Sequence, residues 1–248
     1  MTHWRPFVWI NRSLTRRLIF ILVLALGGVT TLVACAYYYF ITFHPDAGRY
    51  PVRGIDVSHH QGAIDWPKVA TSGIAFAYIK ATEGGDFSDR RFRQNWRGAA
   101  AAGLRRGAYH FFTFCRPGIE QAAHFIRTVP ADPDMLPPAV DLEFGGNCSV
   151  SASRLNPDRE LPAFLEAVEA HYGHRALLYA TREFYQAHMA SKNIVNPLWL
   201  RSILFEPDYN RHPWTLWQYH NRGRVAGVQG PVDYNVFAGS MQDFERPW

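Results

Sequence analysis

Asp141 and Glu143 stand two residues apart in the run Leu136-Pro-Pro-Ala-Val-Asp-Leu-Glu-Phe-Gly-Gly, and they are the pair in this chain best suited to chemistry. Ala139, Val140 and Leu142 read as a short buried strand, entered through two prolines and left through two glycines. Side chains alternate across a strand, so residues two apart share a face, with origins roughly 6–7 Å apart. Like charge at that range raises one pKa, and the pair can divide into an acid and an anion. That is the minimum equipment for cleaving a glycosidic bond. An arbitrary Asp-x-Glu is more often a strand end with two solvated acids, so the rest of the chain must decide.

Strand-like runs alternate with helical patterns from residue 52 onward. Strands are expected at 54–57, 75–81, 106–113, 139–143, 175–180, 197–200, 215–220 and 233–237. Helices are expected from Trp66 (Asp65 as cap, Pro67 in the first turn) and over 89–102, 119–128, 157–172 and 183–189. Regular alternation predicts a parallel sheet with crossover helices. Eight strands in so short a domain fit a closed α/β barrel of the TIM type, irregular because the late helices look short or missing. In such a barrel the C-terminal strand ends converge on one face. Polar residues recur at those ends: Asp56, Lys80 to Glu83, Tyr109 and His110, Asp141 and Glu143, Tyr179, Trp199, Trp217 and Gln218, and Asp233. Each has a dull explanation alone, His110 as a satisfied interior histidine above all. Their convergence does not.

The chain of 248 residues, 48% hydrophobic, supports one substantial core. Its pI of about 9.2 invites a nucleic-acid reading. The first fifty residues hold five arginines against one aspartate, leaving 21 basic and 20 acidic side chains for the remainder. The basicity is therefore N-terminal, and no nucleic-acid partner is expected. Arg5, Arg12, Arg16 and Arg17 precede an uncharged apolar stretch over 18–43, long enough to cross a bilayer. The expected organisation is a basic cytoplasmic tail (1–17), a transmembrane signal anchor (18–43), a linker (44–51) and an exported catalytic domain (52–248) on the outer side of the membrane. A cleaved signal peptide is one alternative. A lipoprotein signal is another, because Leu32-Val-Ala-Cys35 has the form of a lipobox. Cys115 and Cys148 form an even pair in an oxidising compartment, each a few residues beyond a strand, and a disulfide is expected between them.

Gly54-Ile-Asp56-Val-Ser-His-His-Gln61-Gly62, Gly73, Tyr78-Ile-Lys80-Ala-Thr82-Glu83-Gly84, Phe87 and Asp89 together resemble the N-terminal signature of the family 25 glycoside hydrolases, lysozyme-type muramidases. Asp141-Leu-Glu143 is similar to the family's acidic motif, Trp217-Gln-Tyr219 to its late aromatic motif, and Asp233-Tyr-Asn235 to its last acidic position. The likeness covers residues 52–237. One departure stands at Arg201-Ser-Ile-Leu204, where such enzymes usually carry a small residue and an aromatic.

The resemblance implies hydrolysis of the β-1,4 bond between N-acetylmuramic acid and N-acetylglucosamine in peptidoglycan. Glu143 is expected as general acid. Asp141 is expected to stay ionised beside it, as nucleophile or as support for attack by the substrate's own acetamido group. Asp56 and Asp233 would orient the sugar, and Tyr109, Tyr179, Trp199, Trp217, Gln218 and Glu83 would contact it. No cofactor or metal is expected: no Cys/His cluster has ligand spacing, and His59 and His60 would point apart if extended. The partners expected are peptidoglycan glycan strands and the membrane, with the protein a monomer. Two competitors are a non-catalytic, membrane-anchored peptidoglycan-binding module, and an amidase or peptidase. The first predicts loss of one acid. The second would need a metal or an activated Ser or Cys, and none is evident.

Overall fold

The computed structural model describes residues 12–145 and 155–246. The chain divides into two compact units, residues 1–43 and 44–248. The first contains one helix, α1 (Arg12–Thr42). Its segment Arg16–Thr42 is long and apolar enough to cross a membrane and is exposed along its length. At 1.5 Å per residue its 27 residues extend about 40 Å, against about 30 Å of bilayer hydrocarbon.

The second unit is a closed eight-stranded barrel. Its staves are β1 (Arg53–Val57), β2 (Phe76–Glu83), β4 (Arg105–Phe111), β5 (Ala139–Leu142), β6 (Leu177–Thr181), β7 (Leu198–Arg201), β8 (Leu216–Gly223) and β9 (Val232–Phe237). Each pairs with the next, and β9 closes on β1. A two-residue strand, β3 (Phe87–Ser88), forms a small hairpin on β2 that the sequence reading did not anticipate. Outside lie α2 (Trp66–Ala70), α3 (Phe92–Ala101), α4 (Gly118–Thr128), α5 (Pro157–Tyr172) and α6 (Arg182–Phe184), the last running on as a π-helical turn, Tyr185–Met189. Caps sit where their chemistry requires: Asp65 accepts from Lys68 N, Asn156 accepts from Asp158 N, and Gly173 ends α5 at φ 72°.

Two expectations need correction. The sheet is not wholly parallel: β9 runs antiparallel to both β8 and β1. The eight residues between β8 and β9 form no helix, so the chain turns back directly instead of crossing over. The helix expected from residue 89 starts at Phe92, because Asp89 accepts hydrogen bonds from Arg91 N and His59 N.

No helix covers the outer face of β8 and β9, and residues 44–52 occupy that place as a strap. His44 Nδ1 lies 2.8 Å from the Tyr219 hydroxyl, and its ring meets Tyr234 edge-on. Tyr50 packs on Trp214 and Trp217, and Val52 is fully buried. The barrel interior below the site is filled by Val52, Phe76, Tyr78, Leu136, Leu177, Trp199 and Leu216, with Phe244 of α7 (Met241–Glu245) closing the end. Gly54 and Gly107 make room for this filling: a Cβ at either would lie 2.3 Å from the ring of Phe76 or Tyr78.

Candidate active site

The C-terminal ends of the parallel strands and the N-terminal end of β9 enclose a cavity of about 380 Å3, whose lining includes Asp56, Lys80, Tyr109, Asp141, Glu143 and Asp233. Strand alternation produces this set. Inward positions run Gly54 to Asp56 on β1, Tyr78 to Lys80 on β2, Gly107 to Tyr109 on β4 and Ala139 to Asp141 on β5. Beyond them come Tyr179 on β6, Trp199 and Arg201 on β7, Gln218 on β8 and Asp233 and Asn235 on β9. Each parallel strand is apolar at its lower inward positions and polar at its last, and antiparallel β9 is polar at its first, so the barrel has a filled floor and a reactive mouth.

Asp56 and Asp233 are directly paired across β1 and β9. Asp56 Oδ2 accepts from Gln218 Nε2 at 2.9 Å and from Asn235 Nδ2 at 2.8 Å. Gln218 in turn accepts from the Tyr179 hydroxyl at 3.0 Å, and Asn235 from Trp199 Nε1 at 2.8 Å. Burial raises the pKa of Asp56, the hydrogen bonds from Asn235, Gln218 and Asp233 oppose that rise, and the same Asp56–Asp233 bond raises Asp233 further. Burial is the largest cause for Asp233, and the Asp56 charge adds to it, pushing Asp233 up to about 8. One proton therefore sits on Asp233 and is donated to Asp56, which takes the ionised role in a fully hydrogen-bonded net.

Asp141 and Glu143 lack such support. Asp141 Oδ1 is buried without a hydrogen-bond partner. Burial, then the charge of Glu143, holds Asp141 well above the ordinary carboxyl range, against the pull of Lys80. Glu143 lies one residue past β5 and is also raised by burial, while Arg201 and Lys80 oppose the rise. Burial thus raises both carboxyls, Lys80 opposes the rise at both, and Arg201 opposes it at Glu143, so the pair is held closer to neutrality than two solvated acids would be.

Other expected contacts separate. Tyr109 lines the cavity, and burial together with Asp56 and Asp141 raises its pKa. Tyr179 and Trp199 also line it, but they are 7% and 2% exposed and their polar atoms are spent on Gln218 and Asn235. They act as wall and scaffold rather than as open stacking faces. Trp217 does not line the cavity. It neighbours inward-facing Gln218 on β8, so it points out of the barrel, packs under Tyr50 and donates to Ser202 O at 2.6 Å. Glu83 also lies off the lining and is held by Lys80 at 2.7 Å. His59 and His60 do not diverge. They form a 3-10 turn with rings 4.1 Å apart, where His59 bonds Asp89 and His60 faces the cavity. Among the described residues no cluster could hold a metal ion. His110 is an interior histidine: Thr82 and Gln121 satisfy its two nitrogens, and burial lowers its pKa to about 3. Cys35 is a free cysteine, and Cys148, half of the expected bridge with Cys115, lies outside the described residues.

Sequence reasoning placed Lys80 at the converging strand ends without a role, and passed over His60, Arg201 and Asn235 as site residues. Alternation from Trp199 and Asp233 would have found two of them. His60 depends on a turn that periodicity does not register.

The sequence model of the family described as Glycosyl hydrolases family 25 matches residues 55–228. A family 25 glycosyl hydrolase from Bacillus anthracis is similar in structure, with TM-score 0.75 and 40% identity, covering 82% of this chain and 95% of that one. Lysozyme M1 of Streptomyces globisporus is 36% identical over 204 residues, 76% of this chain and 68% of that protein. The Escherichia coli protein YegX is 36% identical over 202 residues, 79% of this chain and 73% of that protein. The chain belongs to glycosyl hydrolase family 25. It is a glycoside hydrolase with the closed eight-stranded barrel of that family.

Proposed function

We propose that the protein is a membrane-tethered muramidase that hydrolyses the β-1,4 bond between N-acetylmuramic acid and N-acetylglucosamine in peptidoglycan. The observation that carries this reading is the pair of half-buried carboxyls, Asp141 and Glu143, at one strand end in a cavity wide enough for a sugar. The similarity to Lysozyme M1 supports the substrate class.

Glu143 sits at the cavity mouth with a pKa raised by burial, and it protonates the leaving glycosidic oxygen. Glu143 carries that proton in the reactive complex, and the attack comes from the substrate's acetamido oxygen with Asp141 as its support. The unpartnered Oδ1 of Asp141 is placed to take the acetamido N–H as that group becomes a cationic ring. As positive charge grows at the anomeric carbon, Asp56 steadies it through the net that also orients Tyr179 and Gln218. Water then opens the ring, giving its proton back to Glu143, and the anomeric configuration is retained.

The apolar helix α1 is read as an uncleaved anchor with Arg16 and Arg17 on the cytoplasmic side, which leaves the barrel on the outer side. Cys115 and Cys148 are read as a bridge at the rim of the site. Mass spectrometry of purified peptidoglycan after digestion tests the activity. Fragments with new reducing ends on muramic acid are expected. Reducing ends on glucosamine, cleavage in the peptides, or no release would reject the assignment.

A further inference from the structure

Arg201 ends β7 and serves two cavities. It lines the site described above, and it also lines an adjoining cavity of about 420 Å3 with Thr181, Ser202, Ile203 and Phe205, where Arg182 and the carboxylates of Glu183 and Asp208 complete the wall. The other cations of these two cavities are engaged: Lys80 is held by Glu83 at 2.7 Å, and Arg182 by Asp208 at 2.6 Å. Among the described residues no carboxylate forms an ion pair with the Arg201 guanidinium, although it influences Glu143, Asp56 and Asp233 through space.

The backbone around it is tightly constrained. Tyr209 donates its hydroxyl to Arg201 O, Ser202 N donates to Gln218 O, and Leu204 N donates to Tyr219 O at 3.0 Å. Leu204 is also the one non-glycine residue with positive φ, 68°, among the described residues. A branched side chain held in the left-handed region persists only where its surroundings over-determine it, and such strain gathers at binding sites. The turn presents Ile203 and Phe205 beside the guanidinium, with Phe205 72% exposed. A planar fork of donors without a carboxylate partner, next to an apolar ledge, suits a carboxylate borne on a short organic chain.

We propose that Arg201 is a specificity-determining residue and that the adjoining cavity is a subsite for a carboxylate-bearing substituent of the glycan. The carboxylate seats on the guanidinium, and its carbon chain lies against Ile203 and Phe205. This rests on the glycan-hydrolase reading and adds the part of the substrate that the site selects. Two substituents carry the chemistry: the lactyl ether of muramic acid when its carboxyl is free, and the peptide attached to that ether.

The test uses the 248-residue chain in detergent micelles and soluble glycan strands in four forms. These are peptide-bearing strands, the same strands with carboxyls amidated, strands stripped of peptide, and stripped strands amidated. Wild-type kcat/KM is expected to be about tenfold or more higher for a carboxylate form than for its amidated twin, mainly through KM. Arg201→Gln should bring that ratio to about one, and Arg201→Lys should restore part of it. A ratio confined to peptide-bearing strands assigns the peptide, and one confined to stripped strands assigns the lactyl group. Arg201 also influences Glu143, so Arg201→Gln should move the pH profile on every form, and only the ratio reports the subsite. A wild-type ratio near one, or a ratio that survives in Arg201→Gln, overturns the proposal. Should no form be cleaved, the hydrolase reading fails by itself, and calorimetric Kd values for the four forms still decide the subsite. A carboxylate preference lost in Arg201→Gln would uphold it, and equal affinities would overturn it.

Discussion

Four carboxyls share one barrel mouth, and each is kept from solvent at a cost to stability. Asp56 is reconciled to this by three hydrogen bonds, whereas Asp141 has an oxygen with none. A buried acceptor without a donor persists in a native structure when something outside the protein completes it. Glu143→Gln, which keeps the shape but not the proton, should lower muropeptide release by about 10²–10⁴-fold, as expected when a general acid is lost. Asp141→Asn should be comparably damaging. Residual activity above about a tenth of wild type for Glu143→Gln would remove that residue from the acid role. Asp233 offers a stability test with a definite sign. Its folded pKa of about 8 lies above the ordinary value of about 3.9, so its stabilising contribution is present at low pH and is lost as pH rises through 8. An amide in its place cannot ionise and can still donate to Asp56. Asp233→Asn should therefore gain stability relative to wild type between pH 4 and 8, reaching about 1–3 kcal/mol, while activity falls. Paired thermal melts across that range check it, and a difference that is flat with pH would show that Asp233 carries no proton in the native state.

The strap of residues 44–52 does what a crossover helix does elsewhere in the barrel. β8 and β9 present Trp217, Tyr219 and Tyr234 on their outer side, and His44, Tyr50 and Val52 reach that side or the barrel floor. Fully burying an aromatic or branched side chain contributes about 1.5–3 kcal/mol. A chain starting at Arg53 should therefore be about 3–6 kcal/mol less stable than one starting at His44, a large part of a typical domain's total. Circular dichroism melts of the two truncations measure this directly. Equal melting temperatures would mean that 44–52 is only a linker. A second element-scale device is the approach of α4 to α5. Gly118 N donates to Glu160 Oε2, and a Cβ on Gly118 would lie 1.8 Å from Glu160 O, so the helices meet through a position with no side chain.

For the whole molecule, the proposed anchoring of the N-terminal unit is open to direct test. The span Arg16–Thr42 is long and apolar enough to cross a membrane, and Cys35 lies within it. Intact-mass measurement on the membrane fraction should find the N-terminus uncleaved. A start at residue 35 bearing acyl chains would establish a lipoprotein, and a start near residue 44 a secreted enzyme. Thiol counting on the same material, denatured but not reduced, should find one reactive cysteine, Cys35. Three would exclude the bridge between Cys115 and Cys148. With about 33 residues in the closed loop, that bridge would contribute roughly 3–4 kcal/mol, less any strain.

Much of this was legible in one dimension because it depends on local periodicity. The Pro157–Tyr172 helix ends at Gly173 as its cap predicts, and the alternation of strands and helices sufficed for a closed barrel. The convergence of Asp56, Asp141 and Glu143 followed from the same alternation, since the C-terminal ends of parallel strands share one rim, whereas Asp233, at the start of β9, reaches that rim because β9 runs antiparallel. Tertiary structure alone decided the properties that depend on neighbours distant in sequence. The outward face of Trp217 is covered by residues 44–52 in place of a missing helix, and β9 reverses because the chain before it is too short to cross over. Asp141 and Glu143 are both raised by burial and opposed by the cations Lys80 and Arg201, and no spacing along β5 encodes either influence. Sequence determined which groups could meet. Desolvation and charge, set by the closed barrel, determined the environment in which they meet.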